Sequence, residues 1–235
     1  MSHPPDYSPH GGLPPQRQLL TDRAVFTESY VVIPRGTNRD IVTSFLPFWT
    51  GMRMWVLARP LSGFAETFSH YMVELMPDGG SERPETDAAA QAVLFVVEGA
   101  LNLSVQGVEH PLRPGSYAYL PAGCKWEIHG QGEGRALFHW IRKAYCAVDG
   151  ITQPTAFVAH ESEQTPIAMP DTDGAWTTTR FVDPQDLRHD MHVNIVTLQP
   201  GAVIPFAETH VMEHGLYVLQ GKAVYRLNQD WVEVE

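Results

Sequence analysis

An internal repeat constrains this chain more than any single segment does. Val73-Glu74-Leu75-Met76-Pro77 returns as Val196-Thr197-Leu198-Gln199-Pro200. Further on, Phe95-Val96-Val97-Glu98-Gly99-Ala100-Leu101-Asn102-Leu103 returns as Tyr217-Val218-Leu219-Gln220-Gly221-Lys222-Ala223-Val224-Tyr225. The offset is 123 positions at the prolines and 122 at the glycines, so one gap separates the two matches. A chain of 235 residues with such a period holds two copies of one module, and whatever the first copy folds into, the second shares.

Each copy reads as strand after strand. Short β-branched and aromatic runs cover Ala24–Ile33, Met52–Ala58, Tyr71–Met76, Val93–Val97, Leu101–Val105, Ser116–Leu120 and Ala136–Ile141. A second series covers His192–Leu198, Leu216–Leu219, Ala223–Leu227 and Trp231–Val234. Turn residues separate them, among them Pro77-Asp78-Gly79-Gly80, Gly99, Gly107, Pro114-Gly115, Pro200-Gly201 and Gly221. That punctuation predicts an all-β sandwich or barrel. Helical periodicity is scarce, and the best short candidate is Asp183–Arg188, with Pro184 in the first turn behind an aspartate cap. The expected organisation is a Pro-, Gly- and His-rich tail over 1–20, a first module over 21–145, a loop-like linker over 146–179 and a second module over 180–235. Because Val232-Glu233-Val234-Glu235 ends in mid-strand, the second module is expected to be C-terminally incomplete.

Composition narrows the function classes. Sixteen basic side chains against 27 acidic ones leave a net charge of −11, which argues against a phosphate-backbone partner. No run of about 18 apolar residues predicts a membrane span, and the N-terminus lacks the apolar core of a secretory signal. Two cysteines, Cys124 and Cys146, form no CxxC, so a cysteine zinc site is not expected and a reducing cytoplasm is.

Metal-ligand chemistry gathers in one place, Glu208-Thr209-His210-Val211-Met212-Glu213-His214-Gly215. Glu208, His210 and His214 are spaced by even numbers, so on extended chain their side chains share a face while Glu213 takes the other. Two imidazoles and a carboxylate suit Mn²⁺ or Fe²⁺, with coordination positions left open for a substrate. His210-x-x-Glu213-His214 also spells the HxxEH of inverted zinc peptidases, but that motif requires a helix, and here proline, glycine and strand runs flank it. The first module is an internal control: 122 positions before the three candidates stand Thr86, Ala88 and Ala92, none able to hold a divalent ion. Its later stretch reads Gly115-x5-Pro121-x-Gly123-x2-Trp126, where Trp126 is expected to fill the cavity.

This two-part signature resembles the cupin superfamily, and two modules make a bicupin, a tandem of jelly-roll-like β-barrels. More narrowly, Glu208-Thr209-His210-Val211-x-Glu213-His214-Gly215, with Tyr217-Val218-Leu219-x-Gly221 and Val224-Tyr225-x-Leu227-x3-Trp231, resembles the (S)-ureidoglycine aminohydrolases, also called glyoxylate-induced proteins. The resemblance implies a manganese enzyme of purine (allantoin) breakdown that converts (S)-ureidoglycine to (S)-ureidoglycolate and ammonia. It implies Glu208, His210 and His214 as three of four metal ligands, with Glu208 a possible participant in the chemistry and Tyr225 lining the substrate pocket. The fourth ligand, a glutamine, would fall near position 248, past the last residue of the sequence. It further implies a small-molecule substrate and a homo-oligomer. Two other readings compete: a different metal bicupin acting on a small organic acid, such as a dioxygenase or isomerase, and a non-catalytic bicupin that binds a small ligand.

Overall fold

The computed structural model describes residues 24–34, 37, 44–59, 67–204, 206–208 and 212–235. In chain order the strands are β1 (Val25–Phe26), β2 (Val31–Val32), β3 (Thr50–Ala58), β4 (Phe68–Ser81), β5 (Ala90–Glu98), β6 (Ala100–Val105), β7 (Val108–Leu112) and β8 (Ser116–Leu120). There follow β9 (Trp126–Gln131), β10 (Ala136–Ala144), β11 (Phe157–His160), β12 (Ile167–Ala168), β13 (Trp176–Arg180), β14 (Asn194–Leu198), β15 (Ala223–Leu227) and β16 (Asp230–Val234). One 3₁₀ turn, Glu161–Glu163, is the only helical element among the described residues. The fold is all-β, as the runs and their punctuation predict.

Nine strands of the first module form one antiparallel sheet in the order β11-β8-β5-β10-β4-β9-β6-β7, with β3 also paired to β4. The sheet wraps because β4 changes partners along its length. Its first half lies between β3 and β10, and its end pairs with β9 through Gly80 and His129. Pro77-Asp78-Gly79-Gly80, predicted as a turn, is the corner inside this 14-residue strand. A side chain at Gly79 would put its Cβ 2.4 Å from the Gly51 carbonyl oxygen, so the corner closes only on glycine. The bore is packed with Val73, Leu75, Leu94, Leu101, Leu103, Ile128 and Phe138, all fully buried. Trp126 stands edge-on to Trp140 at 5.9 Å, and Trp49 lies 5.6 Å from Trp140. Three buried indoles thus pack on one another within this core.

The other face of the same strands is apolar too. Val93, Phe95, Tyr117 and Tyr119 pack against Phe157, Phe181, Met191, Val193 and Ile195. Phe181 stacks on Tyr117 at 4.3 Å. This second core joins the first sheet to the segment that leads into β14 and to β14 itself. Asp190 pins it, accepting hydrogen bonds from Lys143 Nζ at 3.0 Å, the Cys146 N–H at 2.8 Å and the Gln91 amide.

The repeat is visible in the backbone. The β6–β7 and β15–β16 hairpins turn through Gln106 at φ 52° and Asn228 at φ 55°, and each is entered through a left-handed glycine, Gly99 at 77° and Gly221 at 88°. Likewise β13–β14 reproduces the β3–β4 pairing: Trp176 opposes Leu198 as Met52 opposes Leu75.

Three local expectations are corrected. Leu216–Leu219 is not a strand. Its counterpart β5 is held between β8 and β10, and the corresponding positions in the second copy fall past Glu235, so within these residues the segment has no ladder to join. Asp183–Arg188 is not a helix but two consecutive turns, in which Asp183 Oδ1 accepts from the Gln185 N–H at 2.9 Å and Asp186 Oδ1 from the Arg188 N–H at 3.1 Å. Aspartate side chains compete with the helical ladder for those donors. The stretch 146–179, read as loop, carries structure: β11 extends the first sheet on β8, and β12 and β13 pair with each other.

Candidate functional site

The segment carrying the candidate ligands runs between β14 and β15. Glu208 and His214 are both exposed, and His210 lies outside the described residues. Among the described residues no three His, Cys, Asp or Glu side chains gather as a metal cluster. Tyr225, on β15, is 37% exposed. Burial raises its phenol above the ordinary value, and the carboxylate of Glu208 raises it further, so these two candidate residues sense each other. A neutral tyrosine hydroxyl beside a carboxylate is a hydrogen-bond donor next to an acceptor.

Glu213 is engaged elsewhere. Its Oε2 accepts from the Thr67 N–H at 3.0 Å and from Thr67 Oγ1 at 2.5 Å. Thr67 precedes β4, so a first-module residue takes the carboxylate that stands beside His214. The contacts continue along the segment. The pro-side-chain position of Gly215 faces His70 Nδ1 and the Phe68 ring, each 3.5 Å from where a Cβ would sit. Tyr217 meets His139 edge-on at 4.3 Å. His70 Nε2 and His139 Nδ1 are 2.9 Å apart.

Thr67, His70 and His139 were not among the residues that the sequence singles out. A signal exists nonetheless. His70, Met72 and Glu74 alternate with Tyr71, Val73 and Leu75, so β4 has a second face, and that face is also buried. A strand buried on both faces implies a second layer.

The control positions of the first module are inert. Thr86 and Ala88 are exposed in the loop before β5, and Ala92 lies in the packed bore. Two clefts of about 290 and 520 Å³ lie around Pro154–Phe157, and neither is lined by Glu208, His214 or Tyr225.

Residues 71–142 match the cupin domain family. A glyoxylate-induced protein of Pseudomonas aeruginosa has a solved structure that superposes with a TM-score of 0.86, at 64% identity over 97% of this chain and 84% of that one. The chain belongs to the glyoxylate-induced protein family of the cupins. Other relatives agree with that family placement. The (S)-ureidoglycine aminohydrolase of Escherichia coli is 28% identical over 221 residues, 94% of this chain and 82% of that protein. The Arabidopsis thaliana protein of the same name is 26% identical, and the chain spans 67% of its length. No helix among the described residues is long and apolar enough to cross a membrane.

Proposed function

We propose that this protein hydrolyses (S)-ureidoglycine to (S)-ureidoglycolate and ammonia. The observation that carries the reading is family membership combined with similarity to the E. coli aminohydrolase across 94% of the chain. The ligand-type residues of the second module, and their absence from the matching positions of the first, support reading the chemistry as that of the second copy.

Glu208, His210 and His214 would hold the metal, for which Mn²⁺ is the choice and Fe²⁺ the alternative. A carboxylate and imidazoles form a donor set of the right hardness, and Glu208 and His214 are both open to solvent. When bound, such an ion supplies charge stabilisation to a substrate bearing a carboxylate and an amine on one carbon. The chain's own groups do the rest. Glu208 offers an acceptor and Tyr225, whose phenol is neutral at neutral pH as any tyrosine's is, offers a donor to the polar ends of the substrate, and burial and the carboxylate hold that phenol further towards its protonated form. In the net reaction, water oxygen forms the new C–O bond and the C–N bond breaks. The nitrogen departs as ammonia, keeping the two protons of the substrate amine and taking the third from the water whose hydroxyl oxygen joins the carbon. We place this reaction in the cytoplasm, in purine breakdown, and in a homo-oligomer. The test is to mix the full-length protein, Mn²⁺ and freshly generated (S)-ureidoglycine: ammonia release faster than spontaneous decay, and selective for the S enantiomer, supports the reading. A rate equal to spontaneous decay overturns it.

A further inference from the structure

The first module carries no ligand-type residues at the repeat positions, yet it touches the ligand segment of the second at three successive points. Thr67 donates twice to Glu213, Phe68 and His70 lie against Gly215, and His139 meets the ring of Tyr217. These contacts cover alternate residues of 213–217. His70 and His139 are themselves joined at 2.9 Å, and the β4–β10 register that places them opposes His139 to Met72 and Ile141 to His70. Phe68 and His70 come from the start of β4 and His139 from the middle of β10, inside a nine-stranded sheet, and Thr67 is the exposed residue that leads into β4. The segment they hold has no strand pairing of its own between β14 and β15 among its described residues. The first module's sheet and the residue leading into it thus contact an irregular segment next to His214.

We infer that Thr67 is a positioning residue: it fixes Glu213, while His70 and His139 lie against Gly215 and Tyr217, and thereby sets the direction in which its neighbour His214 projects. The inference rests on the reading of Glu208, His210 and His214 as the ligand set. It gives the ligand-free first module a function, as the template on which the ligand segment of the second is laid. The first module takes hold of alternate residues, 213, 215 and 217, and the exposed His214 lies between two of these held positions, so anchoring Glu213 limits the directions open to His214. A residue that orients a ligand from outside the coordination sphere commonly changes metal affinity by about tenfold or more.

The test uses full-length protein and the Thr67→Val variant, which keeps the volume and loses the hydroxyl donor. In metal-free protein, amide hydrogen exchange over residues 212–217 is expected to rise severalfold, with the melting temperature unchanged. The Mn²⁺ dissociation constant, read from the electron paramagnetic resonance of the free ion, is expected to rise roughly tenfold. Thr67→Ser, which restores the hydroxyl, is expected to return both values to wild type. Unchanged exchange over 212–217 in Thr67→Val overturns the inference. So does faster exchange with unchanged Mn²⁺ affinity, because the contact would then stiffen the segment without positioning a ligand. If the wild type binds no Mn²⁺, the metal reading fails. The exchange measurement then decides by itself whether Thr67 holds the segment.

Discussion

His70 Nε2 and His139 Nδ1 meet at 2.9 Å in a buried site between the two modules. One ring donates and the other accepts, and burial disfavours a charge on either, so at neutral pH the pair is made of two neutral imidazoles. Burial lowers His70 to about 4, and burial together with the neighbouring His70 lowers His139 to about 3.

A pH dependence follows, with a definite sign. In the unfolded chain both rings titrate near 6.5, so as pH falls below that value the unfolded state takes up protons that the folded state excludes. The stabilising contribution of the neutral pair is whole above about pH 6.5 and is lost progressively as pH falls towards 4. Urea unfolding at pH 7 and pH 4.5 is expected to differ by about 2–3 kcal/mol for each ring, roughly 5 kcal/mol for the pair. In a His139→Gln protein the slope should be shallower. Equal slopes in the two proteins would mean that this pair is not what titrates.

Asp190 tests the joint between the modules. It receives Lys143, the Cys146 N–H and Gln91, and Gln91 in turn accepts from the Tyr119 hydroxyl at 3.0 Å. Asp190→Ala leaves the buried Gln91 amide and the half-buried Lys143 ammonium without their acceptor, which should cost about 2–4 kcal/mol of unfolding free energy. Denaturant titration checks the value. A loss under about 0.5 kcal/mol would show that water replaces the carboxylate at no cost.

Trp126 tests the filled bore. It is 5% exposed and lies edge-on to Trp140. Trp126→Ala opens a cavity and should destabilise the fold by about 3–5 kcal/mol. Mn²⁺ binding by the folded fraction should be unaffected, because the first module holds no ligands at the repeat positions. Weakened Mn²⁺ affinity in folded Trp126→Ala protein would argue that the bore takes part in the site.

Much of the fold was legible because both the repeat and the strand runs are local patterns. Ser116–Leu120 and Ala223–Leu227 have the same bounds in sequence and structure. What was not legible depends on distant partners. Val108–Leu112 and Trp126–Gln131 carry polar residues and a glycine or proline, and they become strands because β6 pairs with both. Leu216–Leu219 shows the reverse case, strong β-propensity without neighbouring strands. The candidate ligands were legible as a spacing. The grip of Thr67 on Glu213 was not, since 146 residues separate the two and nothing in either segment signals the other.

In the proposed function the second module carries the chemistry through His214. Ammonia release from (S)-ureidoglycine, measured side by side for full-length wild-type and His214→Ala protein at the same Mn²⁺ concentration, tests this most directly. The wild type should exceed spontaneous decay, and the variant should lose at least about 100-fold of that rate, the scale of several kcal/mol of charge stabilisation. A His214→Ala protein that works as fast as wild type would contradict the account.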